Sequence, residues 1–193
     1  GDGNAYKYIG EFKDGIFNGA GQRTFEDEQL NEYGAFKNGA FSPTPAEHFA
    51  NLGQYNTAKY TITSKAYDFL SEHGKLFTTG FKSGLDEHLD SEFKHEAYTK
   101  SPDKYGDKLI FVPSLTITQM VEWESFGNQP VTYILASDSS YNIYYMHYLG
   151  TENVYVGDVI NVYLLPLNHF TYESVSGNDI WAIACAVAYI EKA

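Results

Sequence analysis

The sequence contains a single cysteine and no long apolar run. Cys185 alone excludes an internal disulfide and a zinc site with several cysteine ligands. It lies in the apolar segment 180–188, which predicts a buried strand and an unreactive thiol. No stretch approaches the roughly 18 apolar residues of a membrane-spanning helix, and no signal peptide is visible. Since the sequence starts with Gly rather than Met, we expect an upstream segment in the full protein.

Positive charge is also scarce. The chain has 13 Lys and Arg against 25 Asp and Glu, which gives a formal net charge of −12. From Leu109 to the C-terminus the only basic residue is Lys192, against eight acidic residues. Proteins that bind nucleic acid without sequence preference neutralise phosphates with a basic surface. The charge pattern therefore argues against nucleic acid as a partner.

Aromatic residues and glycine are abundant, with 17 Tyr, 13 Phe, 2 Trp and 17 Gly, and this composition indicates a β-rich structure with many turns. Residues 9–15 and 33–39 form an internal repeat at a spacing of 24. In the two copies a glycine, a phenylalanine, a lysine and an Asp-Gly or Asn-Gly pair coincide. Such pairs predict β-hairpins, because both turn residues tolerate a positive φ.

The first repeat follows a pattern of one tyrosine, one phenylalanine and four glycines: Tyr8, Gly10, Phe12, Gly15, Gly19 and Gly21. This pattern resembles the core of a MORN repeat, and the resemblance covers about a fifth of the chain. It implies a MORN-like antiparallel β-hairpin ribbon over residues 1–42. A structural or protein-contact role is favoured for this ribbon, with lipid binding as the alternative.

A linker and a helical lead-in are predicted next. Pro43 and Pro45 indicate the linker, because proline cannot continue a helix or a central strand. Residues 60–74 predict a short helix with Thr63 as the N-cap and Gly74 just past the end. A four-residue period predicts a second amphipathic stretch, formed by Leu85, Leu89, Phe93 and Ala97. Residues 46–108 are thus assigned to this lead-in.

From Leu109 onward the chain consists of short β-type runs separated by turns. Strands are predicted at 109–124, 131–138, 143–148, 158–164 and 180–191. Five strands of these lengths, with Val-Gly-Asp-Val-Ile-Asn-Val-Tyr opening the fourth and an apolar last strand, resemble an OB-fold. Together with the lead-in Lys-Ser-Pro-Asp-Lys-Tyr-Gly-Asp-Lys, they are similar to uncharacterised surface-associated proteins of Gram-positive bacteria. The predicted fold class is therefore α+β, with a five-stranded OB-like β-barrel at 109–193.

The resemblance to the OB-fold implies a ligand surface across strands two and three. Mapped onto this chain, that surface comprises Trp123, Phe126, Tyr133, Tyr144, Tyr145, Tyr148, His169, Phe170 and Tyr172. Aromatic rings beside carboxylates suit a sugar or a peptide, because rings stack on apolar faces and carboxylates accept hydrogen bonds. The alternative is that half of these aromatics line the barrel interior, as the alternation in 143–148 would require.

Other groupings give weaker signals for chemistry. His88, Glu92 and His95 would share one helical face with metal-ligand spacing, but the surrounding charges favour a solvated face, so no metal or cofactor is predicted. Residues 138–142 alternate oxygen-bearing side chains without the glycine and distal glutamate of a calcium loop, which favours a hairpin turn. Glu122 and Glu124 could in principle perform glycosidic acid–base chemistry, yet neighbouring acids on a strand are common without it. The chain is predicted not to be an enzyme.

These observations predict a non-catalytic binding or protein-assembly module at the extracellular face of a Gram-positive cell membrane. Its partner would be a protein or a glycan at the cell surface, and its anchor would lie outside this sequence. The alternative is a protein that binds or processes carbohydrate or peptide with the acidic aromatic face of the barrel. A third possibility is that the ribbon folds back across the barrel and closes its mouth.

Overall fold

The computed structural model describes residues 5–25, 31–55, 59–174 and 177–193. The fold is α+β, as predicted: a four-stranded hairpin sheet is followed by short helices and a five-stranded β-sheet. The parts of the predicted segments that fall on 1–4, 26–30, 56–58 and 175–176 lie outside the described residues.

The hairpin sheet, called the ribbon here, is an antiparallel meander. Its strands are β1 (Tyr6–Lys13), β2 (Ile16–Phe25), β3 (Glu32–Lys37) and β4 (Ala40–Phe41). Asp14 and Gly15 connect β1 to β2 with φ values of 52° and 78°, and Asn38 and Gly39 connect β3 to β4 with 51° and 84°. Both pairs have the positive φ at two successive residues that a two-residue hairpin turn requires, which confirms the predicted hairpins.

A row of glycines crosses the ribbon and makes room for an aromatic side chain. Gly10 pairs with Gly21, and Gly21 pairs with Gly34 on the next strand. The Tyr8 ring lies over this row, because a Cβ atom at Gly21 would be 2.8 Å from Tyr8 Cε2. Tyr8 also stacks on Phe17 with ring centroids 3.8 Å apart. The glycines therefore let aromatic side chains pack directly on bare backbone.

Helix α1 (Pro45–Tyr55) begins at the last residue of the predicted linker 43–45. Pro45 is its first residue, a position where the missing N–H of proline costs nothing. The N–H of Thr44 donates to Glu47 Oε2 at 2.8 Å, and the N–H of Glu47 donates to Thr44 Oγ1 at 3.3 Å. This reciprocal capping box starts the helix at Pro45, whereas Pro43 and Thr44 lie outside helices and strands.

Helix α2 (Ser64–His73) agrees with the prediction, whereas the second amphipathic stretch does not exist as one helix. Thr63 is the N-cap of α2, and its hydroxyl accepts from the N–H of Ala66 at 3.2 Å. Further on, Leu85–His88 form one 3-10 turn, and helix α3 (His95–Lys100) begins seven residues later. Between them the chain turns away to form a bridge from Leu89 to Leu109. The four-residue period was therefore coincidental.

The five remaining strands form a closed barrel. They are β5 (Ile110–Glu124), β6 (Pro130–Ser137), β7 (Ile143–Tyr148), β8 (Val159–Glu173) and β9 (Asp179–Lys192). Their order is β5-β6-β7-β9-β8, and β8 pairs again with β5; all neighbours are antiparallel except β7 and β9. Strand β8 is longer than predicted because Pro166 lies beside a register shift, where its missing N–H does not interrupt the strand.

Strand β9 is buried on both faces and separates two hydrophobic clusters. Ile183, Cys185 and Val187 point into the barrel, where the thiol is fully buried. The alternate residues 182, 184, 186 and 188 are alanines that join a second cluster with Phe49, Phe69 and residues of the ribbon. Small side chains on this wall allow the helices to approach the barrel closely, so one core connects the ribbon, the helices and the barrel.

Candidate functional site

The structure divides the nine predicted site residues between the two faces of the barrel wall. Along β7, alternation sends Tyr144 and Tyr148 into the interior cluster and Tyr145 to the outer cluster. Tyr144 lies 6.0 Å from the His95 ring, and burial raises the pKa of its hydroxyl. For these two tyrosines the interior alternative is therefore correct, and neither can contact a ligand on the outer face.

Five predicted residues form one aromatic wall on the outside of the barrel: Trp123, Tyr133, Tyr145, Phe170 and Tyr172. Tyr145 lies 4.6 Å from Tyr133 and 4.9 Å from Phe170, measured between ring centroids. Tyr145 pairs with Ala184 and Phe170 pairs with Ala182, so the two rings meet above the alanines of the strand between them. The wall thus joins rings of β7 and β8 across the alanine face of β9.

Residues 59–63 run across this wall and cover it. Tyr60 is 4% exposed, and its ring lies 6.2 Å from Tyr145 and 6.0 Å from Phe170. The N–H of Thr63 donates to the carbonyl of Leu167 at 3.0 Å, and Asn168 Nδ2 donates to the carbonyl of Thr61 at 2.7 Å. Much of the predicted ligand surface is thus covered by the chain itself.

His147 lies at the centre of the covered wall. It is not among the nine predicted site residues. The side chain is fully buried between Trp123, Tyr133 and Tyr145, with ring centroids 5.3 to 6.1 Å away. A hydrogen bond of 2.9 Å joins its Nδ1 to the hydroxyl of Tyr60. Burial, with a contribution from the nearby His48, lowers the pKa of His147 to about 3. The ring is therefore neutral at physiological pH.

His48 and Ser125 resemble a catalytic pair but are arranged for structure. His48 Nε2 lies 2.7 Å from Ser125 Oγ, and burial lowers the pKa of His48 to about 4. Ser125 Oγ also lies 3.1 Å from the carbonyl of Gln129, which accepts from the N–H of Ser125 at 2.9 Å. The serine hydroxyl thus has two acceptors within reach. The pair joins α1 to the barrel beneath the Phe126 ring, 5.5 Å from His48.

A capping-box motif in the sequence could have revealed His48. Thr44 and Glu47 have the Thr-x-x-Glu spacing that precedes a helix, and it would have placed His48 in the first turn of α1. No comparable local signal exists for Tyr60 or His147, because their contact joins residues 87 positions apart. Their pairing depends on the tertiary fold alone.

A polar cleft lies beside the covered wall. It has a volume of about 790 Å³ and is bounded by the ribbon, α1 and β8. Its lining is mainly polar, with Asn51, Gln54, Lys59, Asn168 and His169 around one edge of the Tyr60 ring, and no described lining residue is acidic. Of the nine predicted residues, His169 alone lines it. Amide side chains, which both donate and accept hydrogen bonds, suit a neutral polar ligand such as a sugar or a peptide backbone.

A second cleft, of about 550 Å³, is acidic. Met120, Glu122 and the loop 151–156 form its walls, with Glu152 and the exposed Tyr155 among them. This is where the structure places one of the paired acids, Glu122. One exposed ring, Tyr155, lies beside carboxylates here, and it is not among the nine predicted residues.

The structure does not bring the suggested metal ligands onto one helical face. His88 ends a 3-10 turn and His95 begins α3, with Glu92 in the turn between them. Within the described ranges, no three or more His, Cys, Asp and Glu side chains are placed to hold a metal ion. Asp138 Oδ1 accepts from the N–H groups of Ser140 and Asn142, at 2.8 and 3.0 Å, which closes the turn between β6 and β7. The hairpin interpretation of 138–142 is confirmed.

Comparison of the chain with protein-family profiles, curated proteins and solved structures gives no match. The helices of the described residues are too short or too polar to cross a membrane. The site must therefore be interpreted from its own geometry, in which the barrel face is covered and the ribbon and two clefts stay accessible.

Proposed function

We propose that this chain is a non-catalytic protein-assembly module in which an OB-like barrel supports a MORN-like ribbon. The barrel connectivity favours the OB-like assignment, because the first barrel strand pairs with the second and the fourth, and the third runs parallel to the fifth. The row of glycines beneath Tyr8 favours the MORN-like assignment of the ribbon.

The observation that carries the proposal is that the chain buries its aromatic barrel face and exposes its apolar ribbon. Tyr60 and α1 cover the barrel wall, whereas Ile9 and Phe12 of the ribbon are 60% and 58% exposed. Exposed apolar side chains grouped on one element mark contact surfaces more often than isolated ones do. The ribbon is thus the better candidate for a protein contact, and the barrel serves as its support.

The cell-surface setting belongs to the same proposal. It rests on the resemblance of the barrel segment to surface-associated proteins of Gram-positive bacteria. It also rests on the single cysteine, since exported proteins of these bacteria commonly lack cysteine pairs as well. An anchor outside this sequence would hold the module on the outer face of the membrane.

A second candidate function is the binding of a glycan or a peptide in the polar cleft of about 790 Å³. The lining of that cleft favours it, since His169 and Gln54 are exposed and face the open volume from two different elements. A carbohydrate or peptide that binds beside carboxylates would fit the cleft around Glu122 and Glu152 better.

One experiment separates the two candidates. The full chain is immobilised and offered purified cell-surface proteins, and the same chain is used to probe glycan and peptide arrays. Phe12→Glu on the ribbon is compared with Val121→Glu, a similarly exposed position on β5, and with His169→Ala and Trp123→Ala on the barrel. Protein capture that Phe12→Glu abolishes and Val121→Glu preserves supports assembly. An array signal that His169→Ala removes, without protein capture, overturns the assembly proposal in favour of ligand binding.

A further inference from the structure

Strand β1 is a long open sheet edge. It pairs with β2 on one side only, whereas each strand of the closed barrel pairs with two neighbours. At the opposite edge of the ribbon, β4 has two residues, and its Phe41 is buried against Phe126 at 5.5 Å. Among the described strands, β1 therefore has the longest open row of N–H and C=O groups, in which the carbonyl of Glu11 already accepts from the Tyr8 hydroxyl at 3.0 Å.

The side chains of this edge favour contact rather than solvation. Seven of the eight residues of β1 are exposed, and Tyr6, Ile9 and Phe12 among them are large and apolar. The strand has no proline; its protection against pairing consists of two lysines and one register shift between Gly10 and Phe12. An edge of this composition readily adds a further strand.

Charge selects which surface can approach a second copy. Each chain carries a formal charge of −12, so two chains repel each other over most of their surfaces. Residues 1–42 have four basic and seven acidic residues, but strand β1 itself has two lysines and one glutamate, while the segment from Leu109 has one basic and eight acidic residues. Strand β1 is thus not part of the acidic surface over which two copies repel each other.

We propose that β1 binds β1 of a second copy, antiparallel about a two-fold axis at Ile9, to form a continuous eight-stranded sheet. Because both copies use the same edge, the interface closes on itself and produces a dimer. This inference rests on the proposed assembly function and names the partner as the chain itself.

The side chains fix the register of this pairing. With Ile9 opposite Ile9, each Lys7 faces Glu11 of the second copy. In the same register each Tyr6 faces Phe12, and each Tyr8 faces Gly10. Shifting the axis to Gly10 would place Lys7 opposite Lys13, which is repulsive. Glu11 uses one oxygen, Oε2, to accept from the N–H of Ala20 at 3.2 Å and keeps the other for the lysine. Opposite charges and aromatic pairs are the contacts that stabilise antiparallel neighbours.

Sedimentation velocity of the full chain, from about 1 to about 500 µM, tests the proposal. We expect a concentration-dependent dimer whose dissociation constant rises at least about tenfold in Ile9→Lys, because two ammonium groups then meet at the axis. Val121→Lys makes the same charge change at a residue of 54% exposure on β5 and should leave the dimer intact. Circular dichroism confirms that each variant is folded.

A charge exchange keeps the test decisive even if Ile9→Lys fails to fold. Lys7→Glu and Glu11→Lys should each weaken the dimer, and the double variant K7E/E11K should restore it, because every opposed pair regains opposite signs. A monomer over the whole concentration range, or a dimer that the double variant does not recover, overturns the proposal. A monomer that still captures another protein through the ribbon would overturn the second-copy inference alone and leave the assembly function standing.

Discussion

The buried histidines His48 and His147 should make the protein sensitive to mild acid. In the folded chain their pKa values are lowered to about 4 and about 3, from the ordinary 6.5, because burial penalises the charged ring. Between pH 6.5 and about 4 the unfolded chain therefore binds more protons than the folded one. The free energy of unfolding falls as the pH falls through this window, and the histidine contribution levels off below the folded pKa values.

The size of the effect follows from the two pKa shifts. Lowering the pH from 7 to 5 should cost about 2 kcal/mol for each histidine, and about 4 kcal/mol for both. Carboxylates protonate mainly below pH 5, so this interval isolates the histidines. His48→Gln keeps a side-chain N–H for Ser125, and His147→Asn keeps an acceptor for Tyr60. Burial also lowers the pKa of His95, which adds to the wild-type loss, so each variant should remove about 2 kcal/mol of that loss.

Urea unfolding at pH 7 and pH 5, followed by tryptophan fluorescence, measures the effect. Trp123 lies 6.1 Å from His147 and reports on the covered wall directly. His169→Gln serves as the control, since this histidine is exposed and its replacement should leave the pH dependence of wild type unchanged. A wild-type loss below about 1 kcal/mol between the two pH values would refute the reasoning, as would equal losses in His48→Gln and His169→Gln.

Three further predictions concern the core and the ribbon. Gly21→Ala should destabilise the chain by about 1–3 kcal/mol in urea unfolding, and by much less in a Tyr8→Ala background, because the new methyl group meets the Tyr8 ring. Cys185 should react with a thiol reagent no faster than the protein unfolds, since burial raises the pKa of its thiol. Limited proteolysis should spare residues 43–45, because the capping box and Phe41 fix this segment; early cleavage that releases the ribbon would contradict the fold.

The parts of the fold that local chemistry determines were predictable. Asp14-Gly15 and Asn38-Gly39 specify hairpins by their tolerance of positive φ, and Thr63 specifies the start of α2 through its hydroxyl. The five barrel strands follow from apolar runs between turns. In each case the signal and the structure lie within a few residues of one another.

The parts that depend on distant contacts were not predictable in the same way. Tyr133 and Tyr145 have the composition of a ligand surface, and only the tertiary fold brings Tyr60 and α1 over them. Two local signals were also misinterpreted. Pro45 predicts a break in regular structure, but Thr44 and Glu47 cap a helix that begins at this proline. The four-residue spacing from Leu85 predicts one helix, but the chain forms a 3-10 turn there.

A series of aromatic rings leads from the barrel into the ribbon. From Phe126 the rings continue through Phe41, Phe36 and Tyr8 at centroid distances of 5.5, 5.2 and 5.0 Å. The three phenylalanines are buried, and Tyr8 is partly exposed. Repeat-like sheets need a cap at each end to exclude water from their stacked side chains. The barrel supplies that cap at β4, where Phe41 is buried, whereas none of the described residues covers the outer edge of β1. If the proposed assembly function holds, a partner strand at β1 would supply the second cap.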